Sequence, residues 1–401
     1  MGQKRIGRLK YRPVNVKETI TQIKDTAELM LDLAYSSLLF KEKDFGEEVL
    51  ELEAKMNELI FQSRVSVMLA ARGMDEVQGL TGVLQVIDSA VEISDGGVEL
   101  AKIQVADVGL PPSFLQTLHL LEETIASTVV PEGSKAAKTS VKKIEQETMM
   151  RVIAIKKSAG EWLINPLEAA AVSAKDKVIV KGPFQALEEF EVFVKGMHEV
   201  FPSLEEMRQP KILHEIREII VEMMTLSQLS IDLAYSSVIF NSREIANEVA
   251  SIEDNLEVLR GDLEVRVLEY AKTAKEVREL RGLLRIASAS EKLSDASKDI
   301  SDIVLGGVGI HPILLYAVKE SDEMITRVEI GRKSELDGKT YGESDIEVKT
   351  GMDIIALKPK AGKWQFHPKG DVNLDAGDII IAKGLREGEA KLHRMVRAKG
   401  R

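Results

Sequence analysis

The residues best placed to do chemistry in this chain are carboxylates at helical spacing. Glu291 and Asp295 stand four apart, as do Glu253 and Glu257, so each pair shares one helical face. A neighbouring helix could bring Glu253 or Glu257 beside Glu291 and Asp295 and complete an all-oxygen cation site. Such a site suits Mg²⁺, Ca²⁺, Mn²⁺ or iron. The same residues also read as a solvated face with local ion pairs to Lys292 and Lys298. In the first half Val91 stands where the leading acid would precede Asp95, a weaker set.

Other chemistry is harder to build. The absence of cysteine removes disulfides, thiolate metal sites and cysteine nucleophiles together. Histidines 119, 198, 214, 311, 367 and 393 form no pair at metal-ligand spacing. Gly338-Lys339-Thr340 looks like the end of a phosphate loop, but Lys333 stands where that loop needs glycine. Gly306-Gly307-Val308-Gly309 follows a helical pattern rather than a strand, which does not suit dinucleotide binding. Tyr35-Ser36-Ser37 and its twin at 235–237 suit close helix packing. No catalytic constellation emerges, and the chain reads as non-enzymatic.

The elements that must carry these residues occur twice. Residues 32–40 and 232–240 are nearly the same nonapeptide, and Gly82/Gly282, Asp95/Asp295 and Gly109/Gly309 keep the offset of 200. Beyond residue 150 the offset becomes 202, with Trp162/Trp364, Pro166/Pro368 and Lys181-Gly182/Lys383-Gly384 in register. Such matches imply a duplicated cassette whose copies pack about a pseudo-two-fold axis. Residues 16–128 carry helical periodicity, with Ile20, Ile23, Ala27, Met30, Ala34 and Leu38 on one stripe. Segments 44–72 and 76–105 continue it, and a short helix follows Pro111-Pro112, predicting an antiparallel bundle. Near residue 130 the pattern becomes strand-like: Met150–Lys156, Glu161–Ile164 and Lys177–Lys181, then a closing helix. The second half repeats this as Asp353–Lys358, Lys363–Phe366, Asp378–Lys383 and a helix from about 386.

The chain's 401 residues carry 54 Lys+Arg against 65 Asp+Glu, a net charge of −11 that argues against nucleic acid as the main partner. Lys4, Arg5, Arg8, Lys10, Arg12 and Lys17 make a basic arm expected to be flexible. No signal-like segment or membrane-length apolar run is read, so a cytoplasmic protein is expected, with attachment to the inner membrane face an option.

Two families are resembled. The run Asp337-Gly338-Lys339-Thr340, Met352–Leu357, Gly362, Pro368, Leu374-Asp375-Ala376-Gly377-Asp378 and Gly384 resembles the TrkA C-terminal domain, the RCK C-lobe of potassium-uptake regulators. The first copy matches through Lys138-Thr139, Val152–Ile155, Pro166, Asp176 and Gly182, with Lys175 where the pattern has glycine. The bundles resemble PhoU domains through Glu53/Asn57, Glu253/Glu257 and Glu291-Lys-Leu-Ser-Asp295.

The resemblance implies an α+β multidomain chain: two PhoU-like antiparallel bundles alternating with two small α+β domains. The expected division is a basic arm over 1–15, bundles over 16–128 and 210–326, and TrkA-C domains over 129–200 and 327–401. It further implies a divalent metal on Glu253, Glu257, Glu291 and Asp295, and a nucleotide-type ligand near Arg151, Asn165, Pro166, Asp353 and Pro368. The expected function is ligand sensing for a membrane potassium or other cation transporter, as a homodimer. The alternative is a PhoU-type metal-binding regulator of phosphate transport.

Overall fold

The computed structural model describes residues 10–111, 123–196, 211–274, 277–307 and 309–397. Three long helices come first: α1 (Val16–Phe40), α2 (Lys43–Ala70) and α3 (Met74–Val105). Strands and short helices follow as β1 (Glu123–Val129), β2 (Thr139–Ser140), α4 (Val141–Thr148), β3 (Arg151–Lys156), β4 (Trp162–Ile164), β5 (Ala171–Val172), β6 (Lys177–Pro183) and α5 (Leu187–Lys195). The second half opens with α6 (Lys211–Phe240), α7 (Arg243–Ala271), α8 (Leu280–Leu305) and α9 (Pro312–Lys319). It closes with β7 (Glu323–Glu329), β8 (Lys339–Thr340), α10 (Tyr341–Ser344), α11 (Ile346–Thr350), β9 (Met352–Lys358), β10 (Gln365–Phe366), β11 (Asn373–Leu374), β12 (Ile379–Leu385) and α12 (Arg386–Met395).

These elements form two compact units, each drawn from both halves of the sequence. Residues 1–112 and 215–321 make the helical unit; residues 113–214 and 322–401 make the α+β unit.

In the helical unit the expected apolar stripes are buried: Ile20, Ile23, Ala27, Met30, Ala34 and Leu38 on α1, and Ile220, Met223, Ala234 and Val238 on α6. The paired serines act as packing residues. Ser36 and Ser236 each donate to the carbonyl four residues back at 2.7 Å, a bond that satisfies a buried hydroxyl within its own helix. The two third helices, α3 and α8, cross antiparallel. The start of α3 at Gly79 lies against Gly309 and His311, beyond the end of α8, and the start of α8 at Gly282 lies against Gly109 and Leu110. That reciprocity is the mark of a pseudo-two-fold contact. Asn15 caps α1 by accepting from Lys17 N and Glu18 N. The basic arm is tied down where it is described: Gln62 Nε2 donates to Lys10 O and its Oε1 accepts from Arg12 N, both at 2.8 Å. This corrects the flexible arm expected over 1–15 for residues 10–12, since the buried Gln62 amide needs partners and finds them there; residues 1–9 lie outside the described residues.

The α+β unit holds two lobes with the same architecture. Each has a four-stranded antiparallel sheet, β1-β6-β3-β4 and β10-β9-β12-β7, plus a two-stranded ribbon. Each also has its own apolar core, around Val152, Val178 and Phe190 in one lobe and Ile354, Ile380 and Leu392 in the other. One turn shows how closely the lobes correspond. Asp176 accepts from Ser158 N (3.1 Å) and Ser173 N (2.9 Å), and Asp378 accepts from Lys360 N (2.9 Å) and Asp375 N (3.0 Å). The positive-φ residues Asn165 and Lys175 likewise recur as His367 and Gly377.

Sequence periodicity carried the helical run to residue 128, whereas 123–129 is strand β1. Its β-branched Thr124, Ile125, Thr128 and Val129 win over the helical spacing. The short helix after Pro111-Pro112 falls outside the described residues in the first half; in the second it is α9.

Candidate functional site

Strands β6 and β12 each bring a Lys-Gly pair toward the junction of the two lobes. Lys181 sits opposite Arg151 on β3, and Lys383 opposite Asp353 on β9. Two cations facing each other across a ladder repel, so this corner needs a counter-charge. The counter-charge comes from the second lobe, at the start of β7. Glu323 lies 2.8 Å from Lys383, 3.2 Å from Lys181 and 3.4 Å from Arg151, and Asp322 lies 2.9 Å from Arg151. All four members of the inner cluster are buried, with Glu323 only 5% exposed. Burial alone would raise the Glu323 pKa; the charges of Lys181, Lys383 and Arg151 outweigh it and hold the carboxyl well below the usual range.

This cluster floors a cavity of about 350 Å³ that both lobes line. Its walls include Met149 and Gly182 from the first lobe and Tyr341, Gly342, Glu347, Asp353, His367, Pro368, Lys369 and Gly370 from the second. Tyr341 fixes one wall: its hydroxyl donates to Asp353 Oδ1 at 2.6 Å and accepts from Ile354 N at 3.1 Å. Burial, then the charges of Asp353 and Glu347, push the Tyr341 pKa well up, so the hydroxyl keeps its proton. The cavity therefore offers cations on its floor and acceptors on one side.

Of the ligand residues expected from sequence, Arg151, Asp353 and Pro368 line this cavity. Asn165 and Pro166 do not; Asn165 is exposed on the turn after β4. The structural counterparts of this pair, His367 and Pro368, take the place at the cavity. Sequence reasoning passed over Lys181, Lys383, Glu323 and Tyr341. The repeated Lys-Gly dipeptide was the available signal for the lysines. For Glu323 the available signal was the acidic pair Asp322-Glu323, which stands at the offset of 200 from Glu122-Glu123.

The acidic residues fare differently. Glu253 and Glu257 on α7, with Glu291 and Asp295 on α8, line one small pocket of the helical unit. Two already have cationic partners: Lys298 Nζ is 2.7 Å from Glu253, and Arg260 pairs with Glu291. Burial, then repulsion from Glu291 and Glu253, raises the Asp295 pKa. Among the described residues, no group of three or more acidic or histidine side chains is arranged to hold a metal ion. The Gly338-Lys339-Thr340 run is a helix start: Thr340 and Glu343 form a reciprocal capping box on α10.

Comparison with known proteins places a PhoU domain at residues 220–304, the segment that holds α7, α8 and most of α6. Over 120 residues the chain is 33% identical to potassium channel protein 1 of Methanocaldococcus jannaschii, covering 27% of this chain and 36% of that protein. Over 100 residues it is 29% identical to a phosphate-specific transport system accessory protein PhoU homolog of Aquifex aeolicus, covering 24% and 45%. The chain thus spans less than half the length of either relative. The solved PhoU of Pseudomonas aeruginosa superposes over 72% of this chain and 93% of its own, at 9% identity and a TM-score of 0.40. The GsuK RCK domain covers 69% and 63% at 12% identity and a TM-score of 0.18, and scores this low carry no argument. The sequence matches thus show similarity to a PhoU domain and, over separate comparisons, to a potassium channel protein and a PhoU homolog. No helix among the described residues is long and apolar enough to cross a membrane.

Proposed function

We propose that this PhoU-like, RCK-type chain is a non-catalytic ligand sensor that regulates a membrane cation transport system, with potassium the cation. The observation that carries the reading is the cavity lined by both lobes of the α+β unit. A small molecule held there favours one arrangement of the lobes over others, and its differential affinity sets how far the population shifts. The chain itself offers a route onward. Glu323 of the cluster follows the end of α9 after three residues, and the first of these, Glu320, pairs with Lys17 of α1 at 2.8 Å. The relative from M. jannaschii, by its name a potassium channel protein, supports the choice of transport system.

The same proposal includes a duplicated cassette in which a helical bundle precedes each TrkA-C lobe and each lobe opens at its leading strand, β1 or β7. It also includes a homodimer of whole chains at the inner membrane face. Thermal-shift and calorimetric screening against nucleotides and cyclic dinucleotides tests the sensor reading. Stoichiometric binding that is lost on Lys383→Met is expected; a screen negative throughout overturns it.

A second reading, a metal-binding regulator of phosphate transport, draws on the pocket shared by Glu253, Glu257, Glu291 and Asp295 and on the PhoU domain itself. It requires Lys298 and Arg260 to give up their carboxylates. Metal analysis of purified protein decides: stoichiometric iron, zinc or manganese, lost in Glu291→Ala/Asp295→Ala, would favour it over the first.

A further inference from the structure

The two lobes share a fold but differ in the residues they place around the cavity. In the first lobe Val141 N donates to Ala170 O and Lys142 N to Glu168 O; in the second Tyr341 N donates to Val372 O and Gly342 N to Gly370 O. These bonds fix the structural equivalence: Gly342 and Gly370 occupy the places of Lys142 and Glu168. The first lobe fills that place with an ion pair, Lys142 Nζ to Glu168 Oε2 at 2.6 Å. The second leaves two glycines at the cavity edge. Deeper in, the first lobe turns Glu145 inward, where its Oε1 accepts from Val152 N at 2.9 Å. The corresponding amide in the second lobe, Ile354 N, is satisfied by the Tyr341 hydroxyl, and Glu347, the counterpart of Glu145, lines the cavity.

Resting on the sensor reading above, we infer that this chain takes one ligand per molecule, off the pseudo-two-fold axis and on the second lobe's side. Gly342 and Gly370 are the residues that admit it. A symmetric pair of lobes would offer two grooves related by the pseudo-two-fold; on this inference Lys142, Glu168 and Glu145 are the residues that obstruct one of them. The open cavity, about 350 Å³, sits at the small end of the usual range of about 300–1,000 Å³, room for one small molecule. Its lining is bipolar, with Arg151, Lys181 and Lys383 on the floor and Asp353 and Glu347 at the side. The ligand class this fits carries an anionic group at one end and hydrogen-bond donors at the other. Adenosine monophosphate is a probe of that kind, and inorganic phosphate tests the anionic end alone.

Gly370→Glu is the informative variant. A Cβ there meets Gly342 Cα at 3.6 Å, an ordinary contact, and the first lobe shows that the same backbone carries glutamate. Calorimetry on the full chain, with circular dichroism to confirm folding, should give one equivalent of adenosine monophosphate bound. Gly370→Glu should abolish binding, and Glu168→Gly should leave affinity and stoichiometry unchanged. Two equivalents per wild-type chain, or undiminished binding in Gly370→Glu, would overturn the single-groove inference while leaving a sensor in place. Failure of the wild type to bind either this probe or phosphate, or binding that Glu168→Gly abolishes, would overturn the assignment of the ligand to the open groove. Failure of the wider nucleotide screen as well would remove the sensor reading itself.

Discussion

Two carboxylates in the α+β unit are held on opposite sides of the ordinary value. Glu145 is pushed up to about 7, first by burial and then, against the help of the Val152 amide and Arg151, by repulsion from Glu387 and Glu168. Between pH 4.5 and about 7 the folded state therefore binds a proton that the unfolded state has released. Stability falls as pH rises through that window, by about 3 kcal/mol if Glu145 acted alone. Glu145→Gln should flatten that slope and raise the melting temperature at pH 8; an unchanged pH profile would contradict the buried placement. Glu323 has the reverse sign. Its depressed pKa gives stability that is present above the unfolded value and lost as pH falls through the folded one. Glu323→Gln leaves Arg151, Lys181 and Lys383 short of their shared counter-charge, and removing one partner of a buried ion cluster costs about 3–5 kcal/mol. Urea titration at pH 7 should show that loss, and a loss under 1 kcal/mol (about the worth of an exposed pair) would mean the cluster is solvated.

At the scale of elements, the long helices were legible because burial follows a single stripe. The strands β3, β4 and β6 were legible because Val152–Ile155 and Val178–Val180 are unbroken apolar runs between turn residues. The leading strands β1 and β7 were not. Glu323–Glu329 places charge at both ends and in the middle, the pattern of a surface segment, yet the charge at its start, Glu323, is buried. The same reason hid half of the candidate site: Arg151, Asp353 and Pro368 stand in strands or fixed turns that sequence could align, whereas the cluster around Glu323 needs tertiary pairing. A finer difference separates the two closing helices. A Cβ on Gly388 of α12 would lie 2.0 Å from Thr350 O, so α12 can begin at Arg386 only with glycine there. Its counterpart in the first lobe is Ala186, where the chain makes a 3₁₀ turn over Phe184–Ala186 and the α-helix starts at Leu187. Gly388→Ala should cost about 1–3 kcal/mol as an overpacked contact and speed amide exchange over 386–389. Unchanged exchange there would show that the first turn of α12 does not depend on this approach.

At the scale of the whole molecule, each unit needs both halves of the sequence. The first half alone, residues 1–205, would keep α1, α2 and α3 but lose the α8 surface that Gly96 packs against at Leu293. It would also keep Arg151 opposite Lys181 while losing Asp322 and Glu323, the carboxylates that neutralise them. An exposed apolar face and a pair of cations that has lost two of its carboxylates make an unstable monomer. The sequence offers a remedy within the half itself: Glu122-Glu123 stand two hundred residues before Asp322-Glu323, so a second copy of the first half can supply the missing carboxylates as the second half does. Pairing of like halves through an isologous contact is then the expected state. Light scattering behind size exclusion on the 1–205 fragment should report a dimer, and Glu122→Gln/Glu123→Gln should weaken it toward monomer or precipitate. A soluble monomer that melts as high as the full chain would mean that each half stands alone, and that the ion cluster joins lobes which do not need it.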